Sequence, residues 1–206
     1  MKKVALAAAM ALALGGTAKA DMFDYGQLLG GGTMEPSLTT SDPLFGVNNN
    51  DMSTGFNVGG ALGWNLGPDL SLEIEGFYTH SAYDSALVSS GALETMSFMG
   101  NVFWNFDCGG KWRPFIGAGL GGAQVTITDG VYAGVPFTGD SDIVFAWQAI
   151  AGVTIPVAET VDLLIEYRYQ SADDASLNIT DGGGIPLPVS QEYQSHNLSA
   201  GFRLHF

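Results

Sequence analysis

Hydrophobic residues recur at every second position along most of this chain. In TGFNVGGALGWNL, Phe56, Val58, Gly60, Leu62, Trp64 and Leu66 share one parity. After Gly67-Pro68-Asp69 the alternation resumes with Leu70, Leu72, Ile74, Gly76 and Tyr78, and Ser71, Glu73, Glu75 and Phe77 stand between them. A period of two belongs to a β-strand, whose side chains point alternately to opposite faces, and the Gly-Pro-Asp cluster marks a turn. Two more pairs repeat the arrangement. SFMGNVFWNF and WRPFIGAGLGGAQV flank DCGGK, and FAWQAIAGVTI and VDLLIEYRYQ flank PVAET. A first strand near 23–32 and a last one near 192–206 bring the predicted total to eight.

Most of these strands are about ten residues long, the length a tilted strand needs to cross a bilayer. Their connections alternate in length. The three turns just named are short; those near 33–53, 79–91, 126–142 and 171–191 are long and rich in Asp, Asn, Ser, Thr and Gly. The pattern predicts an all-β fold: a closed, eight-stranded antiparallel transmembrane β-barrel, an up-and-down meander with both termini at the short-turn, periplasmic end. Closure is required because a bilayer offers no water to satisfy an open strand edge.

Alternation alone does not separate such a barrel from a soluble one, in which the apolar face points inward. Three features do. The polar face is glycine-rich and carries opposite charges, Glu73, Glu75 and Glu166 against Arg113, Arg168 and Arg203, predicted to pair in a closed lumen. Large aromatics (Trp64, Trp104, Trp112, Trp147 and Tyr167) fall near strand ends on the apolar face, where interfacial girdles sit. Every strand follows the same pattern, leaving none that reads as a solvated edge.

Composition narrows the setting. MKKVALAAAMALALGGTAKA has a two-lysine start, a short apolar run and an Ala-Lys-Ala end, the layout of a secretory signal peptide, with cleavage expected between Ala20 and Asp21. Residues 21–206 then form the barrel domain in the outer membrane of a Gram-negative cell. The basic residues left are Lys111, Arg113, Arg168 and Arg203, against 21 acidic ones, a formal charge of −17. Nucleic acid, which requires clustered Lys and Arg, is excluded as a partner. The single Cys108 forms no internal disulfide and reads as a free thiol in a short turn.

Within these strands, Pro114, Phe115, Gly117, Gly119 and Gly121 form a proline–aromatic–x–Gly–x–Gly–x–Gly run. Gln148, Ala151 and Gly152, then Tyr167, Arg168 and Tyr169, follow in the next two strands. With the closing HNLSAGFRLHF, these stretches resemble the opacity-protein-like family of outer-membrane β-barrels, itself similar to OmpA-type eight-stranded barrels and to porin-like surface proteins. The resemblance spans the mature chain, is strongest from about residue 92 onward and is weak in the loops. It implies a lipid-embedded surface protein without catalytic residues or cofactor. It also implies that Phe206 serves as the terminal aromatic by which the barrel-assembly machinery recognises its client, with outer-membrane lipids and lipopolysaccharide as neighbours.

Motifs with chemical overtones fit strands better than sites. Gly117, Gly119 and Gly122 spell a dinucleotide fingerprint, but AQVTIT follows where a helix should open. The glycines are predicted to make lumenal room for bulky neighbours such as Phe103 or Arg168. His80-Ser81, and His196 with Ser195 and Ser199, raise a lipid A-modifying hydrolase. The spacing of His196 and Ser199 puts those side chains on opposite faces, and no activating base stands at a workable spacing. Asp140 with Asp142, Asp173 with Asp174, and the Asn-Asn-Asn-Asp stretch at 48–51 lack an EF-hand spacing and read as solvated loops. Eight strands enclose an interior that side chains fill. The expected role is structural, with acidic loops presented at the surface to host or environmental ligands; a small porin-like channel and a loop-mediated adhesin are the alternatives.

Overall fold

The computed structural model describes residues 22–42, 46–51, 54–82, 88–132, 134–181 and 186–206. The expected signal segment at 1–20 lies outside the described residues, as do the side chains of 48–51. Strands follow in chain order: β1 (Tyr25–Asp42), β2 (Gly46–Asp51), β3 (Gly55–Asn65), β4 (Leu70–Ala82), β5 (Val88–Ser90), β6 (Ala92–Asn105), β7 (Arg113–Ile127), β8 (Gly130–Tyr132), β9 (Val135–Thr138), β10 (Ser141–Ala158), β11 (Val161–Asp181) and β12 (Pro186–His205). The eight long ones, β1, β3, β4, β6, β7, β10, β11 and β12, each pair antiparallel with the next, and β12 returns to β1. Tyr25 faces His205 and Met34 faces His196 across that seam, so the sheet closes on itself. The short β2, β5, β8 and β9 decorate the long connections.

Following paired residues sideways from Tyr25 leads through Gly63, Glu73, Asn101, Gly119, Gln148, Gln170 and Ser195. The path re-enters β1 just beyond Met34, about ten residues further along. That stagger is the barrel's shear, and with eight strands it corresponds to a tilt of roughly 40°. The tight β3–β4 turn depends on Gly67, whose φ of 115° is open only to glycine at no steric cost.

Several strands run well past their predicted ends. β1 continues to Asp42 rather than stopping near 32, β11 is 21 residues long, and β12 begins at Pro186. The reason is physical. Hydrophobic alternation ends where lipid ends, but the backbone ladder does not depend on it, and pairs such as Ser41 with Ser190 extend the sheet into the long-loop side.

The two faces are inverted relative to a soluble barrel. Outward-facing Leu120, Phe202 and Ile116 are 62%, 57% and 54% exposed, whereas Arg168 inside is 0% exposed. A continuous apolar exterior of this kind is stable only against lipid. Trp104, Trp112 and Phe206 stand on it at the short-turn end, and Trp147 and Tyr167 at the other, where aromatic rings bridge hydrocarbon and headgroups.

Candidate functional site

The lumen is the candidate site, because the charged residues that alternation turns inward meet there. From the short-turn end, the first tier is built on Arg203 of β12. Its Nη2 donates to Glu73 Oε1 at 3.1 Å, and Nε and Nη2 donate to Gln27 Oε1 at 3.3 and 3.1 Å. The guanidinium lies 4.2 Å from the centre of the Tyr25 ring, a cation–π contact. Tyr25 Oη and Gln27 Nε2 donate to the two oxygens of Glu73 at 2.7 and 2.8 Å.

The second tier centres on Arg168. β4 and β11 are four strands apart in a ring of eight, so they form opposite walls. Arg168 crosses the lumen to Glu75: Nη2 donates to Oε2 at 2.7 Å, and Nη1 bonds Oε1. Nη2 also donates to Glu166 Oε1 at 2.7 Å, and the guanidinium covers the Phe77 ring at 4.0 Å. Gln148 Nε2 and Asn101 Nδ2 each donate to Glu75 at 3.3 Å, and Gln148 Nε2 donates to Asn101 Oδ1 at 2.7 Å. A forked guanidinium between two carboxylates, with amides on the remaining lone pairs, is the arrangement that makes buried charge tolerable.

Above these lies a neutral polar tier. Thr33 donates to Asn197, Ser199 donates to Asn57, both at 2.8 Å, and Gln170 donates to Ser97 at 2.9 Å. Tyr193 and Thr79 meet at 3.0 Å. The long-loop end is apolar instead: Leu93, Met99, Val125, Ile127, Leu177 and Tyr193 form one buried cluster, with Phe137 and Val144 packed against it.

Of the six charges predicted to pair in the lumen, the structure brings together Glu73, Glu75, Glu166, Arg168 and Arg203. Arg113 stands apart and corrects that expectation. It opens β7, six residues before Gly119, which is level with Glu73, so shear and tilt leave it exposed at the rim. Tyr25, Gln27, Asn101 and Gln148 complete the site without a charge to mark them in the sequence, although each occupies an inward parity on its strand. The apolar cluster is equally unmarked, although Val125 and Ile127 share the parity of Gly117, Gly119 and Gly121.

The other motifs resolve into structure. A Cβ on Gly117 would enter the Phe103 ring, one on Gly119 would meet Asn101 and Gln148, and one on Gly121 would meet Met99 and the Phe98 carbonyl. The stripe therefore makes room for Phe103 and Asn101, not for Arg168. His196 lies on the outer face bonded to Tyr167, whereas Ser199 is buried in the lumen. His80 faces outward beside Glu94 at 3.7 Å, and Ser81 is buried inside. Asp140 and Asp142 accept the backbone N–H groups of Asn178 and Ser176, both at 2.9 Å, and so tie the start of β10 to β11. Those backbone bonds, to Asn178 and then Ser141, hold the Asp140 carboxyl below its usual range. No cluster of His, Cys, Asp and Glu suited to a metal occurs among the described residues. Cys108 is exposed in the β6–β7 turn.

A closed eight-stranded barrel with an apolar exterior, aromatic girdles and an ion-paired interior is a membrane-spanning β-barrel of the outer-membrane type. The family model of the outer membrane protein beta-barrel domain matches residues 4–206, and the chain belongs to that family. An "Outer membrane protein" from Gluconacetobacter diazotrophicus is 30% identical over 170 residues, covering 73% of this chain and 45% of that protein. The chain thus spans less than half the length of that relative. The crystal structure of Neisserial surface protein A (NspA) is similar at 21% identity, with a TM-score of 0.56 over 88% of this chain and 96% of that one. A major outer membrane protein from Thermus thermophilus gives a TM-score of 0.56 at 10% identity, over 88% of this chain and 99% of that one. Both likenesses are of fold. The protein is an outer-membrane β-barrel of the Gram-negative type, embedded in lipid.

Proposed function

We propose that this protein is a non-enzymatic, closed-lumen barrel that reinforces the outer membrane and holds acidic hairpins at the cell surface. The observation that carries this reading is the wall-to-wall Arg168–Glu75 contact, stacked between the Arg203 tier and the apolar cluster. Small solutes would have to break buried ion pairs and then pass an apolar plug. Presentation follows from strand length: β11 and β12, at 21 and 20 residues, are about twice what a bilayer crossing needs. Every Lys and Arg beyond residue 20 sits at 111, 113, 168 or 203, so the long connections carry acidic residues without basic ones. Lipopolysaccharide phosphates would then be met through shared divalent cations rather than direct ion pairs, and polyanionic host ligands are disfavoured.

Liposomes loaded with the purified barrel should not swell in isotonic arabinose. Swelling at porin-like rates would replace this reading with the channel. Phe206, exposed just past the end of β12 beside the seam, is assigned as the contact for the assembly machinery. Phe206→Ser should lower outer-membrane yield severalfold, and an unchanged yield would remove that role.

A further inference from the structure

A cavity of about 270 Å³ opens at the short-turn, periplasmic mouth of the lumen, lined by Arg113, Thr154, Asp162, Arg203 and His205 together with polar turn residues. Two cross-strand pairs build it. Arg113 is opposite Thr154 on β7 and β10, and Asp162 is opposite Arg203 on β11 and β12. Their hydrogen-bonding capacity is unevenly used. Asp162 is occupied by His205 Nε2 at 2.7 Å, and Arg203 is tied inward to Glu73 and Gln27. Arg113 makes no ion pair among the described residues, in a chain with few cations. Thr154 as a residue is only 4% exposed, and its Oγ1, itself buried, has no hydrogen-bond partner among the described residues. A buried hydroxyl normally finds one, because leaving it unmade costs the full desolvation of the group.

We propose that this vestibule binds a small oxyanion, a phosphate or carboxylate group presented from the periplasm. Arg113 supplies the charge and the forked donors, Thr154 donates its orphaned hydroxyl, and the buried Arg203 adds positive potential from behind. Arg113 is a cationic donor without a carboxylate, and the lining's one carboxylate, Asp162, already meets His205 through Oδ2, so the missing partner is an acceptor rather than a cation. The volume suits an anion of a few heavy atoms and is below that of sites for drug-sized ligands.

The test is calorimetric titration of the folded barrel in detergent micelles with inorganic phosphate and, separately, with acetate, against chloride at matched ionic strength. One saturable site is expected for at least one of the two, and the tighter anion identifies the group. Arg113→Gln should weaken binding about tenfold, the loss of a charge-assisted pair, and Arg113→Lys should restore most of it. Thr154→Val should weaken it about threefold, and Lys111→Gln in the adjoining turn should change nothing. Arg113 is exposed at the rim, so its variants keep the heat-modifiable gel mobility of the folded barrel. Absence of saturable binding by either anion would overturn the proposal. So would an equal loss in Lys111→Gln, or Arg113 closing onto Asp162 so that Asp162→Asn creates binding where the wild type has none.

Discussion

The short-turn and long-loop halves of this lumen are filled by opposite means. Below, Arg203 and Arg168 are locked to Glu73, Glu75 and Glu166 through a mesh of amides and aromatic faces. Above, Leu93, Val125, Ile127, Leu177 and Tyr193 pack as an ordinary hydrophobic core, on arms of the sheet whose strands, at 21 and 20 residues in β11 and β12, are longer than a bilayer crossing needs. The halves differ because the two surroundings differ. Within the membrane, the outer face of each strand is claimed by lipid, and alternation leaves the inner face to polar groups that must satisfy one another. Beyond it, the arms meet water outside, and apolar inner residues regain the driving force that holds a soluble core together.

The halves should fail differently. The largest effect is expected below: Arg168→Met leaves Glu75 and Glu166 buried without their counter-ion and should cost about 3–5 kcal/mol. Urea unfolding in lipid vesicles measures this, and adding Glu75→Gln to the variant should recover part of the loss, because the repulsion rather than the lost volume dominates. Above, Leu177→Ala should cost about 2–4 kcal/mol through a cavity, with no such rescue by removing a charge. If Leu177→Ala costs nothing, the long-loop arms carry no cooperative core, and the contrast collapses. The smallest effect belongs to Asp140. Its carboxyl is held below its usual range by backbone N–H groups, so its contribution is present above the unfolded value near 3.8 and is lost as pH falls through the lower folded one. Asp140→Asn should lower neutral-pH stability slightly and flatten the acid limb of the stability curve, the gap to the wild type closing as pH falls; a variant that matches the wild type at neutral pH and along the acid limb would contradict that assignment.

Much of the lower half was legible in sequence, and little of the upper. Glu73, Glu75, Glu166 and Arg168 fall on inward parities of strands marked by their lipid-facing neighbours Ile74 and Ile165, so their side of the wall was readable. Height was not. Parity says that Arg113 points inward but not that the shear leaves it at the rim, because stagger is a property of the closed sheet and not of any one strand. Gln27, Asn101 and Gln148 were overlooked because uncharged amides give no signal until the carboxylate they serve is in place. The apolar plug was invisible for a different reason. An expectation of a polar interior takes Val125 and Ile127 as a strand continuing, and only the extended β11 and β12 arms bring Leu177 and Tyr193 over them.

If these two plugs leave no open pathway, single-channel recording of the unmodified barrel in a planar bilayer gives a flat baseline without stable openings. Long-lived openings of uniform conductance would show instead that the lumen conducts.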